Sequence, residues 1–204
     1  SLLFTANRDK WRSYDHMFKY NPDGMAATHR RSYLLAYELN HMLSQRMFYE
    51  LKLSYSYHYH GWYVFEDPLD PRYVHDKYLR SDPGFFTGGQ QKGHDQRWLR
   101  DYNAKWDLTW QVNKNHSIKT GLHFIQHDLD NRWKEIRNKY YGTDLEQDFY
   151  EPVVYPDSSI YSDIYRVKPR EFAAYIQDKM EFDDMVINVG VRFDWFDPVS
   201  YTHL

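Results

Sequence analysis

Cysteine is missing from all 204 residues. Its absence excludes a disulfide scaffold and a thiolate zinc site, and by itself it says little about compartment. Also missing is any apolar run near the ~18 residues that a transmembrane helix needs, and the mean hydropathy is −0.87. A membrane helix is thereby excluded. A membrane β-barrel is not, because each barrel strand shows lipid only every second residue. Charge of one sign is lacking too: a net charge of −3 and a pI near 6.4 give no electrostatic footprint for nucleic acid. No stretch sustains a helical period over about three turns. There is no initiator Met and no leader, and the chain opens with the strand-like Ser1-Leu2-Leu3-Phe4, which suggests a piece of something longer.

Aromatic residues, by contrast, are abundant, at 19% of the chain with 20 Tyr, 12 Phe and 7 Trp. They fall in rows. From Tyr49 to His60 the odd positions carry Tyr49, Leu51, Leu53, Tyr55, Tyr57 and Tyr59, while the even ones carry Glu50, Lys52, Ser54, Ser56, His58 and His60. Successive side chains of a strand point to opposite faces, so this segment has one apolar-aromatic face and one polar face. Ala104, Trp106, Leu108, Trp110 and Val112 alternate as cleanly with Asn103, Lys105, Asp107, Thr109 and Gln111. Met185, Ile187, Val189, Val191, Phe193 and Trp195 alternate with a polar set that only Val186 breaks. Interrupted rows occur around Tyr33–Leu43, Ile118–Phe124 and Phe172–Phe182. Period two wins throughout, and the chain reads as all-β.

Connection lengths add a second signal. Short polar links follow Leu43, Val112 and Phe182, rich in Asn and Asp where positive φ is expected. Long connections, roughly Asn7 to Ala27, Gly61 to Arg97 and Asp128 to Pro169, alternate with them. All short turns therefore share one end of the sheet and all long loops the other, as in an outer-membrane barrel with periplasmic turns and extracellular loops. About seven strands are expected, over 1–6, 28–43, 47–60, 98–112, 116–127, 170–182 and 185–196. Met185 to Trp195 spans on the order of 28 Å when tilted by roughly 40°, close to the ~25 Å apolar band of such barrels. Trp62, Tyr63 and Phe65, and Trp195 and Phe196, stand where an interfacial girdle is expected. The fold class is an antiparallel up-and-down transmembrane β-barrel, present in part, since an open sheet in lipid leaves edge groups unpaired.

The run Glu171-Phe172-Ala173-Ala174-Tyr175-Ile176-Gln177-Asp178, followed after a tight turn by Asn188-Val189-Gly190-Val191-Arg192-Phe193-Asp194, resembles a barrel hairpin of the TonB-dependent outer-membrane receptors. In that family a strand of the type A-x-Y-x-Q-D leads to one of the type N-x-G-x-R-[FY]-D. The segments Lys19–Gly24 and Glu66–Tyr73 resemble loops of large receptors that carry a carboxypeptidase-regulatory-like domain in front. Residues 1–198 share the strand and loop rhythm, whereas 199–204 resemble translated sequencing-adapter read-through and are set apart as a non-native tail. The resemblance implies a barrel of about 22 strands in the outer membrane of a Gram-negative-type bacterium. It also implies a separate N-terminal plug, coupling through the plug to the TonB energy-coupling complex, contact with outer-membrane lipid, and uptake of a scarce ligand: a siderophore, glycan, peptide or cofactor.

Rigid rings on long loops suit ligand capture, which singles out Tyr78, Phe85, Phe86, Tyr140, Tyr141, Tyr150 and Tyr155. His58 and His60 share a face, as do His123 and His127, but a polar lumen wall is preferred to a metal site at either pair. Asp128-Leu129-Asp130-Asn131 opens like a calcium loop without its central Gly or closing Glu, so a solvated loop is preferred. Gly88-Gly89-Gln90-Gln91-Lys92-Gly93 is read as a flexible loop, not a phosphate cradle. No cofactor, metal or nucleic acid is expected, and without a nucleophile elbow no enzyme activity. The alternative is a soluble secreted β-sandwich that binds carbohydrate, and a third reading is an outer-membrane barrel enzyme. Greek-key crossovers would favour the sandwich.

Overall fold

A computed structural model describes residues 1–79 and 84–198; the set-apart tail 199–204 lies outside them. The elements are β1 (Leu2–Trp11), β2 (Ala27–Ser44), β3 (Met47–Tyr63), β4 (Gly93–Gln111), β5 (His116–Glu135), β6 (Arg137–Asn138), β7 (Pro152–Val153), β8 (Ser162–Val167), β9 (Arg170–Phe182) and β10 (Met185–Asp197). One antiparallel sheet runs β1-β2-β3-β4-β5-β9-β10, with β8 on the upper half of β5, and β6 and β7 pair separately. The sheet is open, with β1 and β10 at its edges. It is a single layer, so the sandwich alternative, which needs a second sheet facing the first, does not describe this chain.

β8 and β9 are one strand interrupted at Lys168-Pro169. The pairs Leu129↔Val167 and Gln126↔Arg170 keep an unbroken register, and the ladder lapses only where proline has no N–H to give. The short turns sit at one end, as expected, but they need no positive φ: among the described residues only glycines adopt it. Asn113 serves through its side chain, its Oδ1 accepting from the backbone N–H of Asn115 and His116 at 2.8 and 3.0 Å. Ser44 Oγ does the same for Arg46 N at 3.2 Å.

The strands run further than expected toward the long-loop end. β1 continues to Trp11, β3 to Tyr63 and β5 to Glu135, while β2 begins at Ala27 and β4 at Gly93. In these extensions neither face meets lipid, so the hydrophobic alternation fades while the backbone ladder continues. Asp128-Leu129-Asp130-Asn131 is thus not a solvated loop but strand, with Asp128, Asp130 and Asn131 buried. Asp128 accepts from Arg166 at 2.7 Å and Asp130 from Arg132 at 2.9 Å.

The outward face of the wall carries Tyr49, Leu51, Leu53 and Tyr55 on β3, facing His41, Leu39, Tyr37 and Leu35 on β2. Met47 to Tyr57 covers about 26 Å along a barrel axis at a tilt of roughly 40°. Its upper limit is marked by tyrosine pairs, Tyr33 with Tyr57 at 5.6 Å and Tyr55 with Tyr102 at 5.1 Å. These, with Trp195 on the apolar face, form the girdle. Trp62, Tyr63 and Phe65 do not: they lie beyond the band, and Tyr63 is buried. Ala173 apart, the buried apolar residues (Phe18, Ala26, Ala27, Tyr59, Tyr63, Tyr73 and Ile136) all lie at or beyond the loop end of the strands.

Candidate ligand-facing site

Two regions meet the space a ligand would cross. The first is the polar face of the wall. Alternation places Glu38, Lys52, Lys105 and His123 in one cross-strand row, because Glu38 pairs with Lys52, Lys52 with Lys105, and Lys105 with His123. Two lysines directly opposite repel. They are offset by carboxylates: Lys52 lies 3.3 Å from Glu38 and 3.8 Å from Glu50, and Lys105 lies 3.1 Å from Asp107. A concavity of about 500 Å³ lies against this row, with Ser54 and Asn103 in its wall.

Across β5, Tyr175 of β9 donates to Asp107 Oδ1 of β4 at 2.6 Å. The intervening residue is Gly121, and a Cβ there would stand 2.4 Å from Asp107 Oδ1 and 2.5 Å from the Tyr175 ring. Glycine is what lets the bond pass over the strand. Sequence reasoning missed this trio; the only sign was a glycine inside a strand pattern. Higher on the same face, His127 sets Nδ1 2.6 Å from Asp101 and Nε2 3.4 Å from Glu171, while Ser56 donates to Asp101 at 3.2 Å. His123 Nε2 lies 3.1 Å from Asn103 Oδ1. His127 is thus engaged by its neighbours in a polar wall, and no cluster of three or more possible metal-ligating side chains occurs among the described residues.

The second region is the cap formed by the long connections. Residues 12–26 bond to the β3–β4 connection: Phe86 N donates to Met17 O at 2.7 Å, Asn21 Nδ2 to Gly89 O at 2.8 Å, and Gln91 N to Gly24 O at 2.8 Å. The glycine segment is thereby tied to residues 21–24. The same connection joins the β5–β8 loop. His75 Nε2 donates to Glu146 O, Lys77 Nζ to Gln147 O at 2.6 Å, and Ile136 N to Lys92 O at 2.9 Å. Lys92 lies at the centre. Its ammonium donates to Val74 O and, at 2.7 Å, to Tyr150 Oη, and Asp76 stands 3.6 Å away. Burial lowers its pKa to about 8, against the partial support of Asp76. Burial likewise raises that of Tyr150, with Asp76 and Tyr73 adding to it.

The seven loop aromatics do not converge on one point. Phe85 packs on His16 and Tyr20, each at 5.1 Å, and Phe86 on Phe18 at 4.8 Å. Tyr150 packs on Lys92, and Tyr78 lies exposed beside Lys77. Tyr140 meets Phe149 at 5.9 Å. The remaining two come near each other: Arg137 sits 4.2 Å from the ring of Tyr141 and 4.6 Å from that of Tyr161, which in turn lies 5.5 Å from Tyr155. Arg137 and Tyr161 were not singled out in the sequence, where nothing distinguished them from other loop residues.

No curated protein matches the chain. The family described as "TonB dependent receptor-like, beta-barrel" matches residues 2–203. That span takes in every strand, both faces of the wall and the whole described cap. The chain therefore belongs to the TonB-dependent receptor β-barrel family, whose members are receptors and transporters of the Gram-negative outer membrane.

Proposed function

We propose that the chain forms part of the wall and extracellular cap of a larger barrel that takes up a scarce ligand (a siderophore, glycan, peptide or cofactor) without itself catalysing a reaction. The observation that carries this reading is the continuity of the polar face, which runs from Glu50 and Asp107 near the short-turn end, through Lys52, His123 and His127, up to the cap. Strands completing the barrel cover the edges of β1 and β10. A plug domain elsewhere in the full protein closes the lumen and engages the TonB complex, and a carboxypeptidase-regulatory-like domain precedes it.

Ligand capture falls to the loop aromatics. Tyr141 and Tyr155 join Tyr161 and Arg137 in one cluster, and Tyr78, Phe85, Phe86, Tyr140 and Tyr150 offer separate contacts elsewhere on the loops. Cells with the complete gene product and cells deleted for it are to be compared for uptake of labelled ferric siderophores and oligosaccharides. Uptake should require the gene and stop when a protonophore collapses the inner-membrane gradient. Equal uptake with and without the gradient would make the protein a passive pore.

A further inference from the structure

Beyond the lipid band the outward face becomes charged, and it does so in two different ways. On β4, β5 and β8 the outward-facing arginines of this zone each have a carboxylate or ring. Arg166 and Arg100 lie 2.7 and 3.6 Å from Asp128, and Arg132 lies 2.9 Å from Asp130 and 5.1 Å from the Trp98 ring. On β1 and β2 the outward-facing cations lack a carboxylate, and Arg31 has only the Tyr59 ring at 5.4 Å. Arg8 and Arg31 are direct cross-strand partners, and with Lys10 they border a polar pocket of about 400 Å³. Among the described residues none of the three has a carboxylate within ion-pair distance.

The surrounding charges do not cancel this. Asp9 points to the other face, where Asn7 donates to it at 2.7 Å, and Arg30 stacks over Trp11 on that face at 4.9 Å. Within the pocket Glu66 brings one negative charge, while Arg72 is already held by Asp70 at 2.6 Å. Like charges directly opposite on one sheet face destabilise it. An anion between them would reverse the sign.

The position of the pocket says which anion. On β1 the outward face reads Leu2, Phe4, Ala6, then Arg8 and Lys10; on β2 it reads Tyr37, Leu35, Tyr33, then Arg31. Two residues along a strand is roughly 7 Å, so the arginines begin one step past the last lipid-facing row. An acyl chain lying on Leu2, Phe4 and Leu35 would bring its own headgroup to Arg8 and Arg31. Guanidinium pairs suit phosphate, which they hold by charge-assisted hydrogen bonds. Resting on the membrane-barrel reading, we propose that Arg8, Arg31 and Lys10 form a binding site for the phosphorylated headgroup of an outer-leaflet lipid.

The test uses the complete receptor, purified in neutral detergent and titrated with mixed micelles. Wild type should retain phosphatidylglycerol or a phosphorylated glycolipid and ignore phosphatidylcholine. The double variant Arg8→Gln/Arg31→Gln should lose about tenfold in affinity for the anionic lipid while keeping the heat-dependent gel migration of a folded barrel. Lys119→Gln, which removes one charge from the opposite face of β5, should change nothing. Unchanged retention by the double variant, or an equal loss with Lys119→Gln, would overturn the proposal and leave the barrel intact. If millimolar inorganic phosphate displaces the lipid completely, the site is one for free anions and the lipid assignment fails. If the wild-type protein shows no folded-barrel migration at all, it is the barrel reading that fails.

Discussion

The membrane wall and the extracellular cap of this chain follow opposite plans. Between Met47 and Tyr57 the sheet is one layer thick, large apolar side chains such as Leu53 and Phe193 lie exposed, and alternation alone tells one face from the other. Beyond Tyr57 the same strands carry charged outward faces, and the loops between them bury Phe18, Tyr73 and Ile136 in a small packed core. In the wall lipid supplies the second layer, so hydrophobicity reports on surroundings. In the cap the protein supplies it, and stability comes from contacts between distant segments such as Lys92 with Tyr150.

The difference can be broken from either side. Tyr73 is 2% exposed, holds Phe65 edge-on at 4.9 Å and receives Phe65 N–H at 3.3 Å. Tyr73→Ala should cost the cap about 3–5 kcal/mol, the range for buried aromatics. In the complete receptor its loops should become protease-sensitive while the barrel keeps its heat-resistant migration. Loss of both together would mean that wall and cap fold as one unit.

Leu53→Arg, in the middle of the lipid face, should destabilise the complete barrel by roughly 2–4 kcal/mol in denaturant titrations. Lys52→Leu, its neighbour on the polar face, should cost far less, since Lys52 is exposed and its pairs with Glu38 and Glu50 are those of a solvated surface. Equal costs would remove the distinction between faces.

What was legible in the sequence follows the same division. The rows Tyr49–Tyr59 and Ala104–Val112 gave the wall, its faces and the end at which the short turns lie, because a membrane enforces period two. The extensions from Asp128 to Glu135 and from Gly93 to Arg97 were read as loop, because charged and polar side chains fill both of their faces, and charge in a strand looks like charge in a loop. Asn113 was assigned to its turn for the wrong reason: its side-chain oxygen matters, not a left-handed backbone. The cap was illegible altogether, since its bonds join residues as distant as Asn21 and Gly89. The Gly121–Tyr175–Asp107 arrangement needs a register that no single strand contains.

A smaller effect should separate the regions by pH. Burial holds Lys92 at about 8 in the closed cap, below its ordinary value near 10.4. The open cap therefore binds more protons between these two values, and closure should grow more favourable as pH rises from about 8 toward 10, with no change below 8. Amide exchange at Ile136, corrected for its intrinsic rate, reads this out, and Lys92→Met should abolish the slope. Exchange in mid-wall amides such as Leu53 should show no such trend.

No cysteine occurs in these 204 residues, and with any cysteine elsewhere in the complete receptor replaced, the central claim, that one face of the strands meets lipid up to Tyr57 and none does beyond it, can be read residue by residue. Single cysteines placed along β3 in the complete receptor, labelled with a fluorophore and reconstituted in bilayers, are to be tested with a lipid-borne quencher. Tyr49→Cys, Leu51→Cys, Leu53→Cys and Tyr55→Cys should be quenched, Glu50→Cys, Lys52→Cys and Ser54→Cys should not, and the alternation should vanish at Tyr59 and Gly61. Quenching of both parities alike, or of neither, would contradict the account.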